Sequence, residues 1–247
     1  MFNYTYDETG VHIGNLSNYG EKYGITQYRF PHSYEFAGKE FKISDGSAQH
    51  TLTFVCKENA AIDGEPCKYE ALKLTTTCYL VRLGFNAAVI DLRQGRITLI
   101  CGKDYFYGKI EGFEAAEDAG HVDGGDDLVE TNVAWYLGVD RCVWHEYLDK
   151  DTVRVRWTPH TESVMESPYK VTKIDYPVYL VDVEDYGPFF SDAPKLLERT
   201  LFLQDYDHMM TVGIIWAGGE IPMMVSGFAK FMDVDEDAAT GDIAGGS

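Results

Sequence analysis

The stretch YEALKLTTTCYLV (69–81) lies over YKVTKIDYPVYLV (169–181) at an offset of 100 without a gap. Tyr69, Lys73, Tyr79, Leu80 and Val81 recur as Tyr169, Lys173, Tyr179, Leu180 and Val181. The flanks extend the match. FAGKEFKIS (36–44) sits over LGVDRCVWH (137–145), and TLTFVC (51–56) over TVRVRW (152–157), both at 101. Downstream, VIDLRQGRITLI from Val89 meets FLQDYDHMMTVG from Phe202. A closing strand with a glycine follows each copy, around Gly108 and Gly227. Conserved order through both halves implies an internal duplication and two structural units.

Runs of five to eight residues alternate in polarity and break at turn signals such as Asp45-Gly46, Asp63-Gly64 and Gln94-Gly95. Helical periodicity is scarce; PKLLERTLFL (194–203) is the best short helix candidate, and its end reads as strand. The pattern predicts an all-β chain of two tandem antiparallel β-barrels, an architecture that leaves no strand edge unpaired. The units expected are 1–113, a first barrel with an N-terminal extension, and 131–232, a second barrel. Between and after them lie an acidic linker (114–130) and an acidic, disordered tail (233–247), rich in Gly, Ala and acids.

At 247 residues with 45% hydrophobic and 14% aromatic content, the chain can build real cores. A formal charge of −19 with no Lys/Arg cluster argues against a nucleic-acid partner. No apolar run has the length of a membrane helix, so no membrane partner is expected. The N-terminal MFNYTYDETG lacks the regions of a signal peptide. Five cysteines without a CxxC read as buried thiols in a reducing compartment. The expected location is the cytoplasm.

Alternation also assigns faces. Phe41 and Ile43 point inward in the first copy, and the 101 offset makes Cys142 and Trp144 their counterparts, with Glu146 next on that face. Val153, Val155 and Trp157 point inward, leaving Arg154 and Arg156 outside. Tyr79, Val81 and Leu83 correspond to inward Tyr179, Val181 and Val183. The second unit's inner wall is then the more aromatic and polar, which makes it the expected ligand-binding unit.

The AGKEF opening (37–41), the Tyr-Leu-Val strands (79–81 and 179–181), VIDLRQGRIT (89–98) and the glycine before each closing strand resemble the MoaF family. That resemblance covers roughly 33–113 and 133–231 and implies lipocalin-like barrels in tandem. Phenolic acid decarboxylases are a more distant likeness, which implies a small barrel with a compact polar cluster in an apolar cavity. No catalytic residue carries across from them.

Trp144-His145-Glu146-Tyr147 is the densest run of reactive side chains. Alternation places Glu146 with Trp144, and His145 with Val143 and Tyr147 on the opposite face. Glu146 is then a candidate acid or base near an aromatic wall; its other reading is a solvated residue at a hairpin mouth. Tyr179, inward like Tyr79, is a candidate for orienting a carbonyl or moving a proton, or else a core ring. His145 and His208 are the competing candidates, although His145 also fits an outward subunit contact and a homodimer. Trp144, Trp157, Tyr169 and Trp216 are expected to shape the pocket. No histidine pair has zinc spacing, and there is no GxSxG, P-loop or GxGxxG, so neither a metal nor another cofactor is expected. The function expected is a cofactor-independent lyase or isomerase (decarboxylation, dehydration or cyclisation) acting on a small apolar or aromatic metabolite. The alternatives are a non-catalytic carrier and a purely structural role.

Overall fold

A computed structural model describes residues 20–21, 24–115, 119–158, 164–188 and 196–231. The first barrel is built from β1 (Glu40–Ser44), β2 (Gln49–Phe54), β3 (Asn59–Ile62) and β4 (Glu65–Lys73). It continues with β5 (Cys78–Leu83), β6 (Asn86–Asp91), β7 (Arg96–Cys101) and β8 (Asp104–Ile110). All neighbours are antiparallel, and β8 returns to β1 to close the ring.

A short strand β9 (Val122–Asp123) comes next. The second barrel comprises β10 (Asn132–Gly138), β11 (Arg141–Tyr147), β12 (Thr152–Trp157) and β13 (Val164–Asp175). It is completed by β14 (Val178–Pro188), β15 (Leu196–Asp205), β16 (Met210–Ala217) and β17 (Met223–Phe231). Strand β17 pairs with β10 and β12 with β13, so these eight strands also close, while β9 lies on β13. The protein is thus two tandem, antiparallel, lipocalin-like barrels related by duplication.

Backbone hydrogen bonds correct the alignment of the copies. Phe54 N donates to Lys39 O and Gly38 N to Phe54 O; Tyr147 N donates to Thr131 O and Glu130 N to Tyr147 O. Phe54 therefore corresponds to Tyr147, and Leu52 to His145. The 101 offset had placed β1 on β11 and β2 on β12, one strand too far along. Farther on, Tyr79 pairs with Ile90 as Tyr179 pairs with Gln204, so Val89 matches Leu203 rather than Phe202. A one-residue slip exchanges the faces of a strand.

The repeated glycines mark close approaches at the closing strands. A Cβ on Gly227 would lie 2.0 Å from Tyr136 O, and one on Gly108 would lie 2.9 Å from Ile43 Cβ. No side chain fits either site.

A third apolar cluster lies between the barrels. Leu72, Leu80 and Val89 on the outside of the first barrel pack with Leu180, Leu203 and Ile214 on the outside of the second. These strands are covered on both faces, which explains their near-continuous apolar runs. Tyr-Leu-Val therefore repeats because Tyr and Val fill a barrel while Leu fills the seam. Polar groups fasten its rim: Arg199 grips Asp182 through Nε at 2.7 Å and Nη2 at 2.6 Å, and Tyr105 donates its hydroxyl to the same carboxylate. Arg93 pairs with Asp175 at 2.7 Å across the same seam.

The expected boundaries also shift. Residues 24–30 belong spatially to the second barrel: Ile25 is buried in its core, and Tyr28 N donates to Leu137 O at 3.2 Å. The 114–130 segment is no free linker where it is described. His121 is buried against Thr98, and Leu128 plugs the second barrel as Phe36 plugs the first. The tail at 233–247 and most of the N-terminal extension lie outside the described residues. The helix candidate at 194–203 is strand from Leu196 onward. All five cysteines are unpaired. Among the described residues, no helix is long and apolar enough to cross a membrane.

Candidate functional site

The interior of the second barrel holds a polar cluster built on β11 and β15. On β11, Val143 pairs with Trp135 and His145 with Val133, and all four are buried in the interior. Val143, His145 and Tyr147 thus face inward together. Trp144 and Glu146 face outward, which reverses the expected orientation, because the inward set was assigned from the wrong strand of the first copy. Trp144 Nε1 donates to Cys142 Sγ at 2.9 Å, and Glu146 accepts from Arg154 at 3.0 Å on the outer wall. Arg154 and Arg156 are outside, as alternation predicts.

Gln204 on β15 joins the cluster from the opposite wall. Tyr147 and Tyr206 both donate their hydroxyls to Gln204 Oε1, at 3.0 and 2.9 Å. Gln204 Nε2 lies 3.3 Å from His145 Nδ1, and Tyr147 Oη lies 3.2 Å from the same nitrogen. An amide NH2 is only a donor, so Nδ1 accepts and the imidazole proton resides on Nε2. That Nε2–H is buried and has no partner. The ring is fully enclosed, 5.7 Å from Phe202, and burial lowers its pKa to about 3. It is a neutral imidazole at any physiological pH. Burial likewise raises the pKa of the Tyr147 and Tyr206 phenols, so both stay protonated.

Two further inward groups are unpaired. Trp135 Nε1, which can only donate, and Ser167 Oγ are buried without a hydrogen bond. Orphaned buried polar groups each cost about 1–3 kcal/mol. Among the described residues, no lysine or arginine is buried.

The first barrel serves as an internal control. The registers set His145 against Leu52, Tyr147 against Phe54, Gln204 against Ile90 and Tyr206 against Leu92. They also set Trp135 against Ile43 and Ser167 against Cys67. Every one of these first-copy residues lies in or against an apolar core. The same fold is thus built with hydrocarbon and a thiol where the second copy carries hydrogen-bonding groups.

The other expected site residues scatter. Tyr179 donates to Asp127 at 3.0 Å, and Lys173 pairs with Asp127 at 2.7 Å. The first copy repeats this arrangement with Tyr79, Lys73 and Glu35, both contacts being 2.7 Å. The triad latches each plug segment to its barrel, which accounts for the recurrence of Tyr and Lys. Trp157 and Tyr169 do line the interior. The Tyr169 ring lies tilted 5.2 Å from that of Tyr147, its hydroxyl donates to Asp149 O at 2.9 Å, and burial pushes its pKa up to about 12. Trp216 lies outside the barrel and donates to Phe85 O across the seam. His208 is 71% exposed at a hairpin tip, where it pairs with Asp205 at 2.8 Å; that hydrogen bond raises its pKa. It borders a seam groove of about 260 Å³ between the 75–78 and 175–178 turns.

Gln204, Tyr206, Trp135 and Ser167 escaped the sequence reading, and Tyr147 entered it only as an outward neighbour of His145. An alignment at 114 beyond Val89 sets Gln204 on Ile90 and would have exposed the contrast. Among the described residues, no group of three His, Cys, Asp or Glu could hold a metal ion. Neither a protein-family profile nor a curated protein sequence matches the chain.

Proposed function

We propose that the chain is a lipocalin-like binding protein whose second barrel takes a small, largely apolar or aromatic metabolite. The first barrel is its filled structural partner. The observation that carries this reading is the contrast at equivalent positions: His145, Tyr147, Gln204 and Tyr206 in one copy, and Leu52, Phe54, Ile90 and Leu92 in the other. Buried polar groups weaken a core unless something satisfies them, and the first copy demonstrates that the fold does not require them. The orphaned atoms are closed to solvent, so a ligand is admitted only as side chains give way. Met165 and Met209, half-buried against this core, are unbranched and suited to that movement.

Acid–base lyase or isomerase chemistry is the second reading, favoured by His145 and Tyr147 lying 3.2 Å apart. It ranks below binding because an imidazole with a pKa near 3 is a weak base at neutral pH. Glu146, the expected acid, lies on the outer wall. The likeness to tandem MoaF-type barrels agrees with a paired architecture, and five unpaired thiols agree with a cytoplasmic location. The experiment incubates purified full-length protein with a metabolite extract and follows each compound by mass spectrometry. A compound that co-purifies unchanged supports binding; one consumed, with a product formed, supports the enzyme; no retained or altered compound overturns both.

A further inference from the structure

The chemistry of the unpaired atoms narrows the ligand. His145 Nε2 and Trp135 Nε1 are both N–H donors, and both are buried without a partner. They stand on adjacent strands: His145 pairs with Val133, two residues from Trp135 along β10, so the two side chains are diagonal neighbours on one inner face. Diagonal neighbours of this kind have Cα atoms roughly 7–8 Å apart, within reach of large rings converging on one group. Ser167 Oγ, on the inner face of β13, adds a hydroxyl that can donate or accept.

The amide oxygen and the imidazole Nδ1 of the cluster are already engaged as acceptors. Gln204 Oε1 takes both phenol protons, and His145 Nδ1 takes the amide N–H. The interior therefore has spare donors. Among the described residues it has no spare cation, because no lysine or arginine is buried there. A carboxylate would satisfy the donors but would enter as an uncompensated charge, at a cost far above that of a neutral group. A carbonyl oxygen offers two lone pairs without net charge. The neighbouring rings of Phe202, Tyr147 and Tyr169 supply an aromatic surround.

Resting on the binding function proposed above, we infer that the ligand of the second barrel is a neutral carbonyl compound, its oxygen received by His145 Nε2–H and Trp135 Nε1–H. An aromatic aldehyde, ketone or amide fits this description; an aromatic acid in its ionised form does not.

The test uses three isosteric probes on the full chain at pH 7: acetophenone, cumene and benzoate. Dissociation constants are measured by calorimetry for the wild type and for His145→Leu, the residue of the first copy. Cumene partitions from water more readily than acetophenone, so the informative quantity is the ratio of their constants. One lost hydrogen bond to a buried donor corresponds to roughly ten-fold. The expected result is that His145→Leu shifts the ratio at least ten-fold toward cumene, with benzoate binding neither protein measurably. Trp135→Phe, which keeps an aromatic ring and removes the donor, shifts the ratio in the same direction. An unchanged ratio in both variants, or benzoate binding more tightly than acetophenone, overturns the carbonyl assignment while leaving the binding site in place. Binding of none of the three overturns both.

Discussion

Replacing Gln204 by isoleucine, the residue at the equivalent position of the first barrel, tests whether the buried cluster is a cooperative network. The amide accepts from Tyr147 at 3.0 Å and from Tyr206 at 2.9 Å, and approaches His145 Nδ1 at 3.3 Å. Once it is gone, Tyr147 can turn its proton to His145 Nδ1, 3.2 Å away, and recover one bond. Tyr206 lies within hydrogen-bonding reach of Tyr147 and can donate to that phenol oxygen. Three hydrogen bonds through the amide are thus replaced by two, and one lost net hydrogen bond costs ~1 kcal/mol, so Gln204→Ile should destabilise by about 1 kcal/mol. The quadruple variant His145→Leu, Tyr147→Phe, Gln204→Ile, Tyr206→Leu copies the first barrel and leaves none of these groups stranded. It should lie within about 1 kcal/mol of the wild type or above it, since exchanging a whole polar set for apolar groups of similar shape is near neutral or stabilising. Equilibrium urea denaturation measures both, with the slope checked for constancy. A neutral Gln204→Ile would refute the network. A quadruple variant less stable than the single would show that packing demands the polar groups and would refute a functional role for them.

Three further outcomes follow from particular contacts. Folding lowers the His145 pKa from 6.5 to about 3, so the unfolded chain binds the extra proton between those values. The associated stability is complete above pH 6.5 and is lost as pH falls, by about 2 kcal/mol between pH 7 and pH 5; His145→Leu should remove that part of the acid-side slope, and an identical slope would contradict the buried neutral imidazole. Arg199→Met leaves buried Asp182 with only Tyr105 as partner at the seam and should cost about 3 kcal/mol by the same denaturation assay, whereas a loss below ~1 kcal/mol would mean the seam does not depend on the pair. Glu146→Gln touches only outer-wall ion pairs with Arg154 and Arg156, so it should change stability by under about 1 kcal/mol and leave acetophenone affinity unaltered; a ten-fold loss of affinity would return Glu146 to the site.

Much of the architecture is legible in the sequence because duplication repeats the constraints. Tyr79 and Tyr179 recur for the latch, Leu80 and Leu180 for the seam, and Gly108 and Gly227 for the closing approach. The site is far less legible. Strand faces depend on register, and hairpins of different length break any fixed offset between the copies. The offset from the first copy is 93 at Tyr147, 100 at Tyr169 and 114 at Gln204, as the ladders show. Carrying one value too far turned Glu146 and Trp144 inward and left His145 outside. Gln204 carries no reactive signature of its own; its meaning comes from the two phenols and the imidazole that converge on it across the barrel. The second barrel's hold on residues 24–30 is likewise invisible locally, because Ile25 and Gln27 meet their partners more than 100 positions away.

The central claim is that the second barrel's interior receives a small molecule through groups the first barrel lacks. Native mass spectrometry of the full chain and of the quadruple variant, each exposed to the same metabolite extract, tests it most directly. The account predicts a bound mass at one equivalent on the wild type that is absent from the folded quadruple variant. The same bound mass on both proteins, or on neither, would contradict it.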